Sequence, residues 1–143
     1  TGRPVLATPN LKEGVVTVID MKSWKTLSQI KTAGPGFFLR SHENSRYAWV
    51  DAFNSANKDT LQIIDKRSLE VVASVKPSPG RTAAHVEFTR DGRYALVSVW
   101  EMDGALVVYD ATTLQEIKRV PMVKPSGKYN VYNKTARSEG TSH

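Results

Sequence analysis

The stretch Gly14-Val-Val-Thr-Val-Ile-Asp20 recurs twice in the chain, as Thr60-Leu-Gln-Ile-Ile-Asp65 and as Ala105-Leu-Val-Val-Tyr-Asp110. The three aspartates stand at positions 20, 65 and 110, so that consecutive copies are 45 residues apart. Each copy is a short run of β-branched and apolar residues that ends in a turn-forming aspartate, a pattern typical of a strand followed by a tight turn. The repeat therefore predicts the same strand in three successive structural units.

Two further elements share this period. A second apolar run follows each aspartate after a short polar link, at residues 24–30, 69–75 and 114–120. The segment Ser45-Arg-Tyr-Ala-Trp-Val50 is similar to Gly92-Arg-Tyr-Ala-Leu-Val97, which lies 47 residues later. Units of about 40 to 50 residues, each with about four short strands, are typical of β-propeller blades.

The predicted fold is therefore all-β, a β-propeller with about three four-stranded blades. A helical fold is disfavoured, because the apolar runs are short and β-branched and 7 prolines interrupt the chain. The predicted strands are 15–20, 24–30, 37–41, 47–52, 60–65, 69–75, 84–89, 94–100, 105–110 and 115–120, with a last strand near 129–132.

The domain prediction is a single partial propeller over residues 1–143. Its blade repeats are placed near 1–45, 46–90 and 91–133, and a tail follows at 134–143. A propeller closes with about four to eight blades, and an incomplete ring exposes strand edges. We therefore expect a fragment whose partners are the remaining blades of the same propeller; self-association into an oligomer is the alternative.

The composition limits the chemistry of the chain. It has no cysteine, which excludes disulfides, Cys-ligated metals and the covalent attachment of a c-type haem. The net charge of +6 is spread along the chain without a zinc spacing or a helix-turn-helix pattern, so no nucleic-acid partner is predicted. No apolar run approaches the about 18 residues that cross a bilayer. The beginning of the chain lacks signal-peptide features, which leaves a cytoplasmic chain or a mature or truncated product.

Three motifs cover most of the chain from residue 34 to residue 133. The first is Gly34-Pro-Gly-Phe-Phe-Leu-Arg-Ser-His42 with Tyr47-Ala-Trp-Val-Asp51, and the second, within 87–108, contains Glu-Phe, Asp-Gly, Val-Ser-Val-Trp and Ala-Leu-Val-Val. The third and most specific is Lys124-Pro-Ser-Gly-Lys-Tyr-Asn-Val-Tyr-Asn133. Together they resemble the C-terminal part of the haem d1 domain of cytochrome cd1 nitrite reductases, which closes with Thr-Pro-Thr-Gly-Lys-Phe-Asn-Val-Tyr-Asn.

This resemblance implies an eight-bladed propeller that holds haem d1 in its central funnel, within a periplasmic oxidoreductase. The function expected first is nitrite reduction to nitric oxide in denitrification, with electrons from a small donor protein. The alternative is the dihydro-haem d1 dehydrogenase branch, which oxidises a propionate of the cofactor to an acrylate. A non-enzymatic propeller scaffold is the second alternative. His85, where the reductases have glutamine, and the tail 138–143 depart from the reductases and favour the dehydrogenase.

The resemblance also indicates which residues contact the cofactor. Phe38 matches a residue that packs beside the macrocycle, and Gly34 and Gly36 would let the backbone approach a flat ring closely. His85 could donate to a haem carboxylate or act as a base, and the turn that follows Pro125 could bind a carboxylate through its amides. The predicted cofactor-binding residues are Phe38, His85, Ser126 and Gly127.

Other polar residues are expected to have lesser roles. Arg40, Arg81 and Lys128 are candidates for neutralising cofactor carboxylates, with a solvated surface charge as the alternative for each. His42 is interpreted as a turn residue on the blade surface. The proximal haem ligand and the two distal histidines of the reductases do not map onto this chain. No catalytic or metal-binding residue is therefore predicted, and the fragment alone is expected to be inactive.

Overall fold

A computed structural model describes residues 2–128, which form eleven β-strands and no helix. None of these residues lies in a helix long and apolar enough to span a membrane. The strand predicted near 129–132 and the tail at 134–143 lie outside the described residues. The strands are β1 Val5–Pro9, β2 Val15–Asp20, β3 Thr26–Lys31, β4 Leu39–Ser41, β5 Tyr47–Asp51, β6 Leu61–Asp65, β7 Glu70–Val75, β8 Ala83–Phe88, β9 Tyr94–Val99, β10 Gly104–Asp110 and β11 Glu116–Met122.

The strands form three antiparallel sheets in which every strand pairs with its neighbour in sequence. The orders are β1-β2-β3, β4-β5-β6-β7 and β8-β9-β10-β11. This arrangement confirms the all-β propeller prediction, although the first sheet has three strands within the described residues. Strand β1 was not predicted, because its residues do not alternate between apolar and polar. It is a strand through its antiparallel pairing with β2, which the local sequence does not reveal. The division of the chain into repeats near 1–45, 46–90 and 91–133 stays a prediction.

The three repeated aspartates occupy equivalent places, as the 45-residue period predicts. Each ends the penultimate strand of its sheet, and its main-chain carbonyl accepts a hydrogen bond from the amide four residues later. That later residue adopts a positive φ in all three copies, which lets the chain reverse into the last strand. The donor residues and their φ values are Trp24 (58°), Leu69 (58°) and Leu114 (62°).

The sheets stack face to face, and the apolar core lies between them. Strand β5 shows why, because its side chains alternate between its two faces. Ala48 and Val50 pack in the cluster that also contains Val16 and Val18 of the first sheet. Trp49, fully buried, packs in the cluster shared with the third sheet, where its ring centroid is 5.6 Å from that of Tyr109. The central sheet therefore buries both of its faces.

His42 lies in the turn after β4, as predicted, and it also joins the second sheet to the third. Its Nδ1 accepts from the Asn44 amide at 3.0 Å, and its Nε2 is 3.1 Å from the Arg90 carbonyl. Its ring contacts Phe88, with centroids 6.0 Å apart. A Cβ atom on Gly92, which has a φ of 73°, would collide with the His42 ring.

We expect Gly92→Ala to lower the free energy of unfolding by at least about 2 kcal/mol, because it adds a steric collision to the cost of a left-handed alanine. Gly80→Ala is the matched control, since Gly80 has a φ of 80° and no atom lies within 4 Å of the place that an alanine Cβ would take. Urea unfolding of the intact protein measures both variants. Equal losses in the two variants would contradict the contact, and His42→Ala combined with Gly92→Ala should recover part of the loss.

Candidate functional site

A cavity of about 270 Å³ opens at one end of the second and third sheets. Antiparallel pairing brings the beginnings of β4 and β8 to the same end as the last residues of β5 and β9. The segment that follows β11 also reaches this end. The cavity is lined by Phe37, Phe38, Phe53, Ala84, His85, Ser98, Trp100, Pro125, Ser126 and Gly127.

The structure brings all four residues predicted from the sequence to this cavity. Phe38 precedes β4, His85 lies within β8, and Ser126 and Gly127 follow β11. The Phe38 ring meets the His85 ring edge to face, with centroids 5.0 Å apart. Their binding to a cofactor stays a prediction, but their convergence is a property of the fold.

Aromatic side chains supply most of the apolar wall. Phe37 stacks edge to face on Phe38 with centroids 4.6 Å apart, and 53% of its surface is exposed. Phe53 and Trp100 form a second pair, with centroids 5.4 Å apart. A large exposed aromatic surface at a cavity is typical of a place where a flat apolar group binds.

Phe53 and Trp100 were not among the residues predicted for the site. A signal for them exists in the sequence, because they are 47 residues apart, the same separation as Phe38 and His85. Each follows the second strand of its sheet, in loops at the same end of the blades. The repeat that placed one pair in the cavity therefore placed the other pair as well.

Asp51, at the end of β5, fixes the loop that carries the phenylalanines. Its carboxylate accepts hydrogen bonds from the amides of Phe37 at 2.8 Å, Phe38 at 3.0 Å and Phe53 at 3.3 Å. Burial raises the pKa of Asp51 above its ordinary value, and these amide donors oppose the rise. Gly36 is required here, because a Cβ atom would collide with the Asp51 carbonyl. The glycine therefore serves the packing of the chain against itself.

His85 has a strained backbone at the centre of the site. Ala84 pairs with Ser98 and Glu87 with Leu96, so two residues, His85 and Val86, lie opposite one residue of β9. This β-bulge gives His85 a φ of 52°, which costs a non-glycine residue about 1 kcal/mol or more. Bulges redirect side chains and are frequent beside functional sites. The buried His85 ring thereby lines the cavity although its neighbours are core residues.

Lys128 ties the segment after β11 to this bulge. Its main-chain amide donates to His85 Nδ1 at 3.2 Å, and its ammonium group donates to the His85 carbonyl and, at 2.6 Å, to Ser98 Oγ. Ser98 Oγ in turn donates to the Ser126 carbonyl at 2.8 Å. Burial lowers the pKa of Lys128 to about 7, and the charge of Glu87 opposes that fall. Lys128 is therefore part of the site and is not a solvated surface charge.

Arg40 and Arg81, the two arginines predicted as candidates for neutralising cofactor carboxylates, differ in burial and in their partners. Arg40, only 15% exposed in its side chain, forms an ion pair with Glu87 at 3.2 Å and links β4 to β8. This pair lines a second cavity of about 150 Å³, which shares Phe37, Phe38 and His85 with the first. Arg81 forms an ion pair with the exposed Asp103. Within residues 2–128, no cluster of three or more histidine or carboxylate side chains is placed to hold a metal ion.

The fold and the cavity define a class of protein, a β-propeller segment with an aromatic-walled cavity at one end of its sheets. The chain belongs to the cytochrome D1 heme domain family, whose model matches residues 1–134. This confirms the family resemblance drawn from the three motifs. The family match, together with a solved relative that has DHE bound, supports the predicted cofactor, haem d1.

Several known proteins are similar to the chain. A dihydro-heme d1 dehydrogenase of Pseudomonas aeruginosa is 61% identical over 142 residues, which cover 99% of this chain and 29% of that protein. Protein NirF of the same organism is 34% identical over 112 residues, 78% of this chain and 28% of that protein. The chain thus spans less than a third of the length of these relatives.

Solved structures agree with these matches. The structure of dihydro-heme d1 dehydrogenase NirN in complex with DHE superposes with a TM-score of 0.90 at 62% identity, over 93% of this chain and 28% of that one. The hydrazine synthase of Kuenenia stuttgartiensis superposes with a TM-score of 0.72 at 17% identity, over 83% of this chain and 34% of that one, and shows a shared fold alone.

We expect Asp51→Ala to release the aromatic loop, because three amides lose their common acceptor. Hydrogen exchange at the Phe37 and Phe38 amides should accelerate by about tenfold or more. Asp110→Ala is the control, since Asp110 accepts from the amides of Thr112 and Thr113 at 2.8 and 2.9 Å in a turn outside the cavity. Unchanged exchange at residues 37 and 38 in Asp51→Ala would contradict the role of Asp51.

The lowered pKa of Lys128 predicts a pH-dependent contribution to stability. The unfolded lysine keeps its proton up to about its ordinary pKa of 10.5, whereas the folded one releases it near 7. Between these values the unfolded chain binds more protons, so stability rises with pH, by up to about 1.4 kcal/mol per pH unit. The unfolding free energy of the native protein minus that of Lys128→Met should therefore rise from pH 7 to pH 9. Lys22→Met, which removes an exposed ammonium group, is the control. A constant difference for Lys128→Met would contradict the prediction.

Proposed function

We propose that the chain is the haem d1-binding segment of a dihydro-haem d1 dehydrogenase. The observation that carries the proposal is the 61% identity, over nearly the whole chain, to a protein of that description. The nitrite reductase function expected first from the sequence has less support, because the relative of high identity is a dehydrogenase. The scaffold alternative is disfavoured by the family of the chain. Because the match covers only 29% of that relative, we propose the activity for the whole protein and not for this chain alone.

The residues of the cavity fit a tetrapyrrole that carries carboxylate groups. Phe38, Phe53 and Trp100 offer apolar surface to a flat macrocycle and exclude water from its faces. His85 is the buried polar ring of this wall, and it is held in a strained conformation by a bulge. Strain of this kind is retained where the surrounding structure holds a functional group in place.

Dihydro-haem d1 is the substrate in this proposal, and its oxidation converts a propionate side chain to an acrylate with the loss of two electrons and two protons. The chain contributes binding and orientation: the aromatic wall holds the macrocycle, and His85 contacts a carboxylate. Because this oxidation releases electrons, the proposed partner is an electron acceptor, whereas the reductase expected first needs an electron-donor protein. The iron ligands are proposed to come from other blades of the propeller. We also propose a periplasmic location, on the family resemblance.

The test uses the intact protein with its own dihydro-haem d1 and a chemical electron acceptor. Formation of haem d1 is followed in the visible spectrum, and nitric oxide formation from nitrite with a reduced donor is measured in parallel. Cofactor oxidation without nitrite turnover supports the dehydrogenase. Nitrite turnover without cofactor oxidation would support the reductase instead, and the absence of binding would support the scaffold.

Two histidine variants test the cavity itself. We expect His85→Ala to weaken dihydro-haem d1 binding by about tenfold or more, the cost of one hydrogen bond to a charged group. His42→Ala is the matched control, because His42 also accepts a main-chain amide through Nδ1 but lies outside the cavity. Spectroscopic titration gives both dissociation constants. Equal constants for His85→Ala and the native protein would remove His85 from the site.

A further inference from the structure

The hydrogen bond between Lys128 and His85 specifies where the imidazole carries its proton. A main-chain amide can only donate, so the Lys128 amide, 3.2 Å from Nδ1, requires a lone pair on that nitrogen. A neutral imidazole has one protonated nitrogen, which in His85 must then be Nε2. Protonation of Nδ1 would set two N–H groups against each other. The contact therefore favours one of the two neutral forms and opposes the charged form.

We propose that Lys128 is a positioning residue that holds His85 as its Nε2-protonated neutral form, so that the imidazole acts toward the substrate as a hydrogen-bond donor. The donor role toward the substrate rests on the proposed function, whereas the Nε2-protonated form of the His85 ring does not. A donor orients a carboxylate group of the substrate. The same ring cannot take a proton through Nδ1 without losing the Lys128 amide.

The ammonium group of Lys128 supports this arrangement from the backbone side. It donates to the His85 carbonyl and to Ser98 Oγ, so it bridges β8 to β9 across the bulge. The left-handed His85, with its φ of 52°, thereby belongs to a network that joins β8, β9 and the segment after β11. The Ser98 hydroxyl donates onward to the Ser126 carbonyl, which attaches the segment after β11 to the same network. One lysine thus fixes both the backbone and the ring of His85.

His42 provides an internal reference for the form of the ring. Its Nδ1 also accepts from a main-chain amide, that of Asn44, and its Nε2 lies 3.1 Å from the Arg90 carbonyl, which can only accept. Both contacts require the Nε2-protonated form. His42 and His85 should therefore give ring nitrogen signals of the same type, while changes at residue 128 should affect those of His85 alone.

The experiment measures the side-chain nitrogen shifts of the intact protein with ¹⁵N-labelled histidine, without cofactor, at neutral pH. In the native protein, His85 should show an unprotonated Nδ1 and a protonated Nε2, matching His42. Lys128→Met keeps the amide and should retain this pattern, whereas Lys128→Pro removes the amide donor and should allow both neutral forms. A protonated Nδ1 in native His85 would overturn the proposal, and that observation requires no variant to fold.

A second measurement tests what the donor does. Glutamine can place an N–H group near the position of Nε2, whereas the side-chain amide of asparagine reaches only the position of Nδ1. We expect His85→Gln to bind dihydro-haem d1 within about threefold of the native protein and His85→Asn to lose about tenfold or more. Tighter binding by His85→Asn than by His85→Gln would overturn the donor role. If the native protein binds no dihydro-haem d1 while the nitrogen shifts are as expected, the proposed function fails and the positioning role of Lys128 stands.

Discussion

The face-to-face packing of successive sheets is the interaction on which the rest of the structure depends. A strand of the central sheet presents apolar residues on both faces, as Trp49 and Val50 do, and neither face can be left in water without cost. The outer faces and edges of the first and last sheets expose apolar residues such as Leu6 and Ile117. Such surfaces are expected in a segment that spans less than a third of its relatives.

The same packing creates the candidate site. Because the sheets stack in one orientation, the loops of equivalent strands emerge at the same end, and residues 47 apart in sequence become neighbours in space. Polar contacts then adjust this arrangement. Arg40 and Glu87 join β4 to β8 beneath the cavity, and Asp51 gathers the amides that carry the aromatic wall. The aromatic side chains of the wall lie in loops, but these contacts anchor them to the strands of the second and third sheets.

The site also concentrates features that a well-packed fold avoids. A left-handed histidine interrupts β8, an ammonium group is withdrawn from water, and an aromatic ring is more than half exposed. Each of these costs free energy that the intersheet core offsets. All three lie at one cavity in a chain whose repeats are otherwise regular, and such a concentration is typical of ligand-binding sites.

The sequence by itself determined the strands of the described residues except β1, their period and the family. Strand alternation and the turns after Asp20, Asp65 and Asp110 depend on interactions between residues a few positions apart. They could therefore be predicted from the local sequence. The repeat also placed Phe38 and His85 at one end of the blades. Only the tertiary structure revealed the bulge at His85, the amide clamp of Asp51 and the bond from Lys128 to His85. These depend on strand register and on contacts between residues up to 43 positions apart, and such contacts form only once the sheets have stacked.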